Sequence, residues 1–161
     1  MKSLVVYSSQ TGNTRKLAQT VFDALTGEKD IFPIDKAPNP SGYDFIALGF
    51  WLKGGKPIQE SMEYLSKIKE KSLFLFATHG AATGSMHVLK AMDYAKNQVL
   101  DSKIVGIFSC QGEMSPDFIE KIQQKSDPPE WSADAPKAKG HPNKSDLEEL
   151  NRIIVNIAGT L

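Results

Sequence analysis

The feature that most constrains this chain is a set of short apolar runs with no polar alternation. They are SLVVY (residues 3–7), YDFIALGF (43–50), LFLFAT (73–78) and KIVGIFSC (103–110). A strand with one wet face alternates polar and apolar residues, so continuous runs point to strands buried on both faces, as in a parallel sheet. A fifth, weaker run, DIFPI, is interrupted by proline and suits a strand near a sheet edge. Between the runs the period changes. Leu17, Ala18, Val21, Phe22 and Leu25 recur at helical spacing, and Gly27 closes that helix. Pro57 is placed as a first helical residue, ahead of the stripe Ile58, Met62, Leu65 and Ile68. Another helix spans about 85–96. Ser145 and Glu148 read as a capping box for a last helix with Leu147, Leu150, Ile154 and Ile157 on its buried face.

Strands alternating with helices require right-handed crossovers. The reading is an α/β three-layer sandwich, one domain over 1–161, with a five-stranded parallel sheet in the order 2-1-3-4-5. In that topology ligands sit beyond the carboxyl ends of the strands, at the switch point. The loops that converge there are SSQTGNT, WLKGGKP and HGAATG, all polar and glycine-bearing. SCQGEM, after the last strand, approaches the same place. The segment 128–142, rich in proline and polar residues, reads as a surface excursion that serves either as a recognition surface or as a plain loop.

Bulk charge narrows the classes. Lys plus Arg is 19 and Asp plus Glu is 19, so no net charge points to nucleic acid or to a membrane surface. No apolar run approaches the roughly 20 residues needed to cross a bilayer, and the N-terminus does not read as a signal peptide. A cytoplasmic protein is expected. The single cysteine, Cys110, excludes an internal disulfide framework and is expected to be a small buried hydrophobe rather than a redox nucleophile. His79, His87 and His141 lack zinc-site spacing, so no metal is expected.

The first loop carries the chemistry. A helix starting near Thr14 offers free N–H groups and the positive end of its dipole. Ser9, Thr11, Asn13 and Thr14 add hydroxyl and amide donors, and Gly12 allows close backbone approach. A phosphate can be held there by neutral donors alone, although the same residues could be no more than a helix cap. Walker and dinucleotide patterns both fail: FWLKGGKP lacks the leading glycine and the terminal Ser/Thr, and no G-x-G-x-x-G occurs. A mononucleotide or similar monophosphate remains.

Ser9, Gln10, Thr11, Gly12, Asn13 and Thr14 resemble the [ST]-x-T-G-x-T phosphate loop of the flavodoxin family. With the length and the two later loops, the resemblance extends over nearly the whole chain. It implies non-covalent FMN and one-electron transfer to a redox partner protein, by a monomer. It also implies that residues 9–14 hold the FMN phosphate. In the second loop, Trp51, Leu52, Lys53, Gly54 and Gly55 would border the ring, with Trp51 packed on it. Gly54 or Gly55 would turn its carbonyl to the protonated flavin N5. In the third loop, Thr78, His79, Gly80, Ala81, Thr83 and Gly84 would meet the pyrimidine end. Many relatives place an aromatic residue in that loop, where this chain has Ala81 and Ala82. The second face of the ring is then either open or covered by His79, Met86 or the 110–143 stretch, Trp131 included. His79 is expected to be a loop hydrogen-bonder rather than a general base.

Many flavodoxins are strongly acidic, whereas this chain is neutral, with a sequence pI near 6.8. Lys53 and Lys56 lie in the second loop, where a cation would stabilise the reduced anionic flavin. The competing reading on this fold is an NAD(P)H-dependent quinone or nitro reductase, which needs a substrate cavity over the flavin. A receiver-like signalling domain is set aside, because the positions where it needs acids hold Ser8, Ser9, Gly49 and Phe50.

Overall fold

A computed structural model describes residues 1–161. Six strands and five helices follow one another as β1 (Lys2–Tyr7), α1 (Asn13–Ala24), β2 (Glu28–Pro33), β3 (Phe45–Lys53), β4 (Lys56–Pro57), α2 (Gln59–Leu65), β5 (Ser72–His79), α3 (Met86–Asn97), β6 (Lys103–Gln111), α4 (Pro116–Gln123) and α5 (Lys144–Ala158). The parallel sheet runs β2-β1-β3-β5-β6. That is the expected 2-1-3-4-5 order, with one addition. β4 is a two-residue strand folded back antiparallel on the end of β3, pairing Lys53 with Lys56.

Each face of the sheet buries its own core. Leu4, Val6, Leu48, Leu73 and Leu75 pack under α2 and α3 with Tyr64, Leu65, Val88 and Met92. Val5, Phe45, Phe74, Phe76 and Phe108 pack under α1 and α5 with Leu17, Val21, Leu150 and Ile154. Fully burying one such aromatic or aliphatic side chain contributes about 1.5–3 kcal/mol, so the uninterrupted runs drive the layering. Gly49 shows how tight it is: a β-carbon there would overlap the Phe76 ring.

Three expectations are corrected. Pro57 does not open a helix. It lies in β4, and α2 begins two residues later, at Gln59. The capping box of α5 is Asn143 with Asp146, not Ser145 with Glu148. Asn143 Oδ1 accepts from Asp146 N at 3.0 Å, and Asp146 Oδ2 accepts from Asn143 N at 2.8 Å. The pair two residues earlier therefore captures the helix start. The stretch after β6 holds a helix the sequence did not announce, α4, capped by Ser115. The 128–142 segment itself contains two 3-10 turns and buries Ser132, Ala135 and Ala138, so it is packed rather than splayed.

Candidate functional site

At the carboxyl ends of β1, β3, β5 and β6 lies a cleft of about 300 Å³. Its first wall is the β1–α1 loop. Gly12 takes φ +93° as the N-cap of α1, a conformation that suits glycine and strains other residues. Ser9 Oγ accepts from the N–H of Gly12 at 3.1 Å and of Arg15 at 3.3 Å, which leaves its own proton free. The N–H groups of Thr11, Asn13 and Thr14 find no acceptor within the protein. The side chains are less free than their types suggest. Asn13 Nδ2 donates to Thr11 Oγ1 at 3.2 Å and to the Glu113 carbonyl at 2.8 Å. Thr14 Oγ1 and Thr78 Oγ1 are buried 2.9 Å apart. The anion-binding capacity therefore rests on backbone N–H groups and the Ser9 and Thr11 hydroxyls, at the positive end of a 12-residue helix.

The second wall is the turn between β3 and β4. Trp51 and Leu52 are half-buried, Lys53 and Gly54 are exposed, and all line the cleft with Gly55. Gly54 and Gly55 both have positive φ, at 59° and 79°. That pair is what lets the chain reverse into β4. Lys56 turns away from the cleft, with its ammonium 5.8 Å from the Tyr94 ring.

The third wall follows β5. His79 is 5% exposed. Its Nδ1 lies 2.9 Å from the Ala81 carbonyl, which can only accept, so the ring proton is placed on Nδ1. Nε2 is then a lone-pair acceptor, and it has no partner. Burial pushes the pKa of this histidine down to about 4, with the Ala81 carbonyl opposing in part. A neutral, buried ring suits a hydrogen-bond acceptor and not a general base near pH 7. Cys110 is buried too, and burial pushes its thiol up, so it is inert as a nucleophile.

Of the residues singled out from sequence, Ser9, Gln10, Thr11, Asn13, Thr14, Trp51, Leu52, Lys53, Gly54, Gly55, Thr78, His79, Gly80 and Ala81 line the one cleft. Gly12, Thr83 and Gly84 lie outside its lining, as does Met86, which is 64% exposed. The lining also includes His87, Gly112, Met114, Ser115, Phe118 and Trp131. Nothing local marks His87, whereas Gly112, Met114, Ser115, Phe118 and Trp131 all fall in the 110–143 stretch that the sequence sets near the ring. No group of three or more potential metal ligands occurs, and no helix is long and apolar enough to cross a membrane.

Cation-free donors at a helix start, with glycine-bearing loops at the switch point of a 2-1-3-4-5 sheet, define a flavodoxin-like α/β protein. A model of the flavodoxin domain matches residues 4–155, and the chain belongs to the flavodoxin family. It is similar to the flavodoxin-like domain-containing protein BilS of Clostridioides difficile, at 34% identity over 129 residues, 77% of this chain and 73% of that protein. Among solved structures it is similar to Flavodoxin 2 of Bacillus cereus, with a TM-score of 0.66, 18% identity and 100% of both chains covered. It is also similar to a Lactobacillus acidophilus flavoprotein solved in complex with FMN, with a TM-score of 0.56 and 15% identity, covering 67% of this chain and 92% of that one.

Proposed function

We propose that the protein binds FMN in this cleft and passes single electrons to a partner protein. The observation that carries the proposal is the first wall: three backbone N–H groups without acceptors at the start of α1, with no lysine or arginine among residues 9–14. Such a set suits a phosphate dianion, which a helix terminus stabilises without a counter-charge. The other end of the cleft suits a flat ring. Trp51 offers an apolar face, Gly80 and Ala81 line the cleft, and the orphaned Nε2 of His79 would take a hydrogen bond from an N–H donor. When bound, FMN supplies a ring that gains and loses electrons singly.

The protein's own contribution is then to bind, orient and limit access. Residues 9–14 would fix the phosphate, and the half-buried Trp51 would exclude water from one side of the ring. The cleft volume favours a carrier over a reductase. About 300 Å³ is the lower end of ordinary ligand sites, small for a flavin together with a quinone or nicotinamide. Titration of the apoprotein with FMN should give 1:1 binding with quenched flavin fluorescence. Anaerobic reduction should proceed in two resolved one-electron steps, with negligible NAD(P)H turnover on quinones. A protein that ignores added FMN would end the proposal, and steady turnover of NAD(P)H with a quinone would replace it with the reductase.

A further inference from the structure

The stretch after β6 is where the structure adds most to the three expected loops. Gln111, at the end of β6, uses one side-chain nitrogen twice. Its Nε2 donates to the carbonyl of Gly80 and to that of Asp134, each at 3.1 Å. The Gly112 N–H donates to the His79 carbonyl at 2.9 Å. Gln123 Nε2, on α4, donates to the Ser132 carbonyl at 3.3 Å. The 3-10 turns of the 128–142 segment are thereby tied to the third loop and to α4.

Trp131 stands on this brace. It is half-buried, packs against the α2/α3 core and lines the cleft. A β-carbon on Gly80 would lie 3.0 Å from its Cζ3 and would overlap the Met114 methyl. The bare glycine therefore leaves room for the Met114 methyl and the edge of the indole beside the third loop. The centroid of the His87 ring lies 6.1 Å from that of the indole, the rings tilted by 35°. His87 in turn abuts Gly55, where a β-carbon would lie 2.9 Å from its Cε1. Gly55, His87, Trp131 and Gly80 thus form a continuous row of neighbours along the cleft lining.

We propose that Trp131 is the second aromatic wall of the ring site, carried in from outside the three loops and held in place through Gln111. This rests on the FMN reading. Trp51 walls the β3 side of the cleft, and Trp131 walls the β5–β6 side.

The test uses the full chain and FMN as probe. The two indole N–H resonances are assigned with Trp51→Phe and Trp131→Phe. On addition of FMN to the wild type, the Trp131 resonance should shift. Removing one aromatic wall in Trp131→Leu should weaken FMN binding roughly tenfold and raise the residual fluorescence of the bound flavin. Trp131→Phe should retain most of the affinity, and Gln111→Leu should fall between Trp131→Leu and the wild type. If the wild type binds FMN while the Trp131 resonance stays still and Trp131→Phe and Trp131→Leu bind within twofold of it, the wall is overturned. If Trp131→Leu does not fold, a stationary wild-type resonance alone overturns it. A wild type that binds no FMN defeats the underlying reading instead, so the two failures are distinguishable.

Discussion

The two ends of the cleft are built in opposite ways. The anion end is one contiguous stretch, residues 9–14, in which the backbone supplies most of the donors and no side chain ionises. The ring end is assembled from the turn after β3, the loop after β5, the start of α3 and the segment after β6, and it contains a buried histidine. A local site depends on helix geometry, which short-range sequence dictates. An assembled site depends on long-range packing. The anion end should therefore behave as a fixed anchor, and the ring end should carry the sensitivity to pH, to substitution and to surface charge.

The largest effect should come from removing the anchor's ligand. Riboflavin lacks the phosphate and would forfeit two or three hydrogen bonds to a charged group, each worth about 1.5–3 kcal/mol before desolvation is offset. Its affinity should be lower than that of FMN by at least roughly 100-fold, measured by fluorescence titration of the same apoprotein. Dissociation constants within about tenfold of each other would mean that the ring end dominates and that the comparison is inverted.

The next effect concerns pH, and only the ring end supplies it. Folded His79 titrates near 4, below its ordinary 6.5, because burial disfavours the cation. Between these values the unfolded chain binds more protons than the folded one. Stability is therefore greatest above about 6.5 and declines as pH falls toward 4. From pH 7 to pH 5 this one group should cost about 2 kcal/mol in urea unfolding of the apoprotein. In His79→Gln that part of the slope should vanish. An equal pH-dependent loss in wild type and variant would assign the slope elsewhere.

The same contrast explains what was legible in the sequence. The buried runs 3–7, 43–50 and 73–78 announce the parallel sheet, because nothing but burial on both faces removes the polar alternation. The loop 9–14 is legible for a related reason, since its donors and its helix adjoin. His87 is not, because it looks like an ordinary helix residue until the fold sets it beside Gly55 and in the cleft. The engagement of Asn13 with the Glu113 carbonyl is equally invisible, as it joins residues a hundred positions apart. The capping box of α5 is illegible for a subtler reason. Asn143 and Asp146 are as competent as Ser145 and Glu148, and only the position of His141, whose Nδ1 lies 2.6 Å from Asp146 Oδ2, favours the earlier start.

The smallest effect is electrostatic, and it separates two lysines that the sequence treats alike. Lys53 lines the cleft, while Lys56 leans over Tyr94 and does not. A positive charge at the cleft stabilises the reduced, more negative ring, so Lys53→Glu should lower the potential of the final reduction step. Lys53 is exposed, so water screens the interaction and the shift should be on the order of tens of millivolts at low salt. Lys56→Glu should shift the potential less, because its charge sits on the α3 side of the turn. Both shifts should shrink as ionic strength rises and the Debye length contracts. Spectroelectrochemical titration of the two variants decides the matter. Equal shifts would mean that loop membership sets the potential, whereas a larger shift for Lys53 means that position in the cleft does. An upward shift for Lys53→Glu would show that its ammonium acts on the ring by some route other than charge.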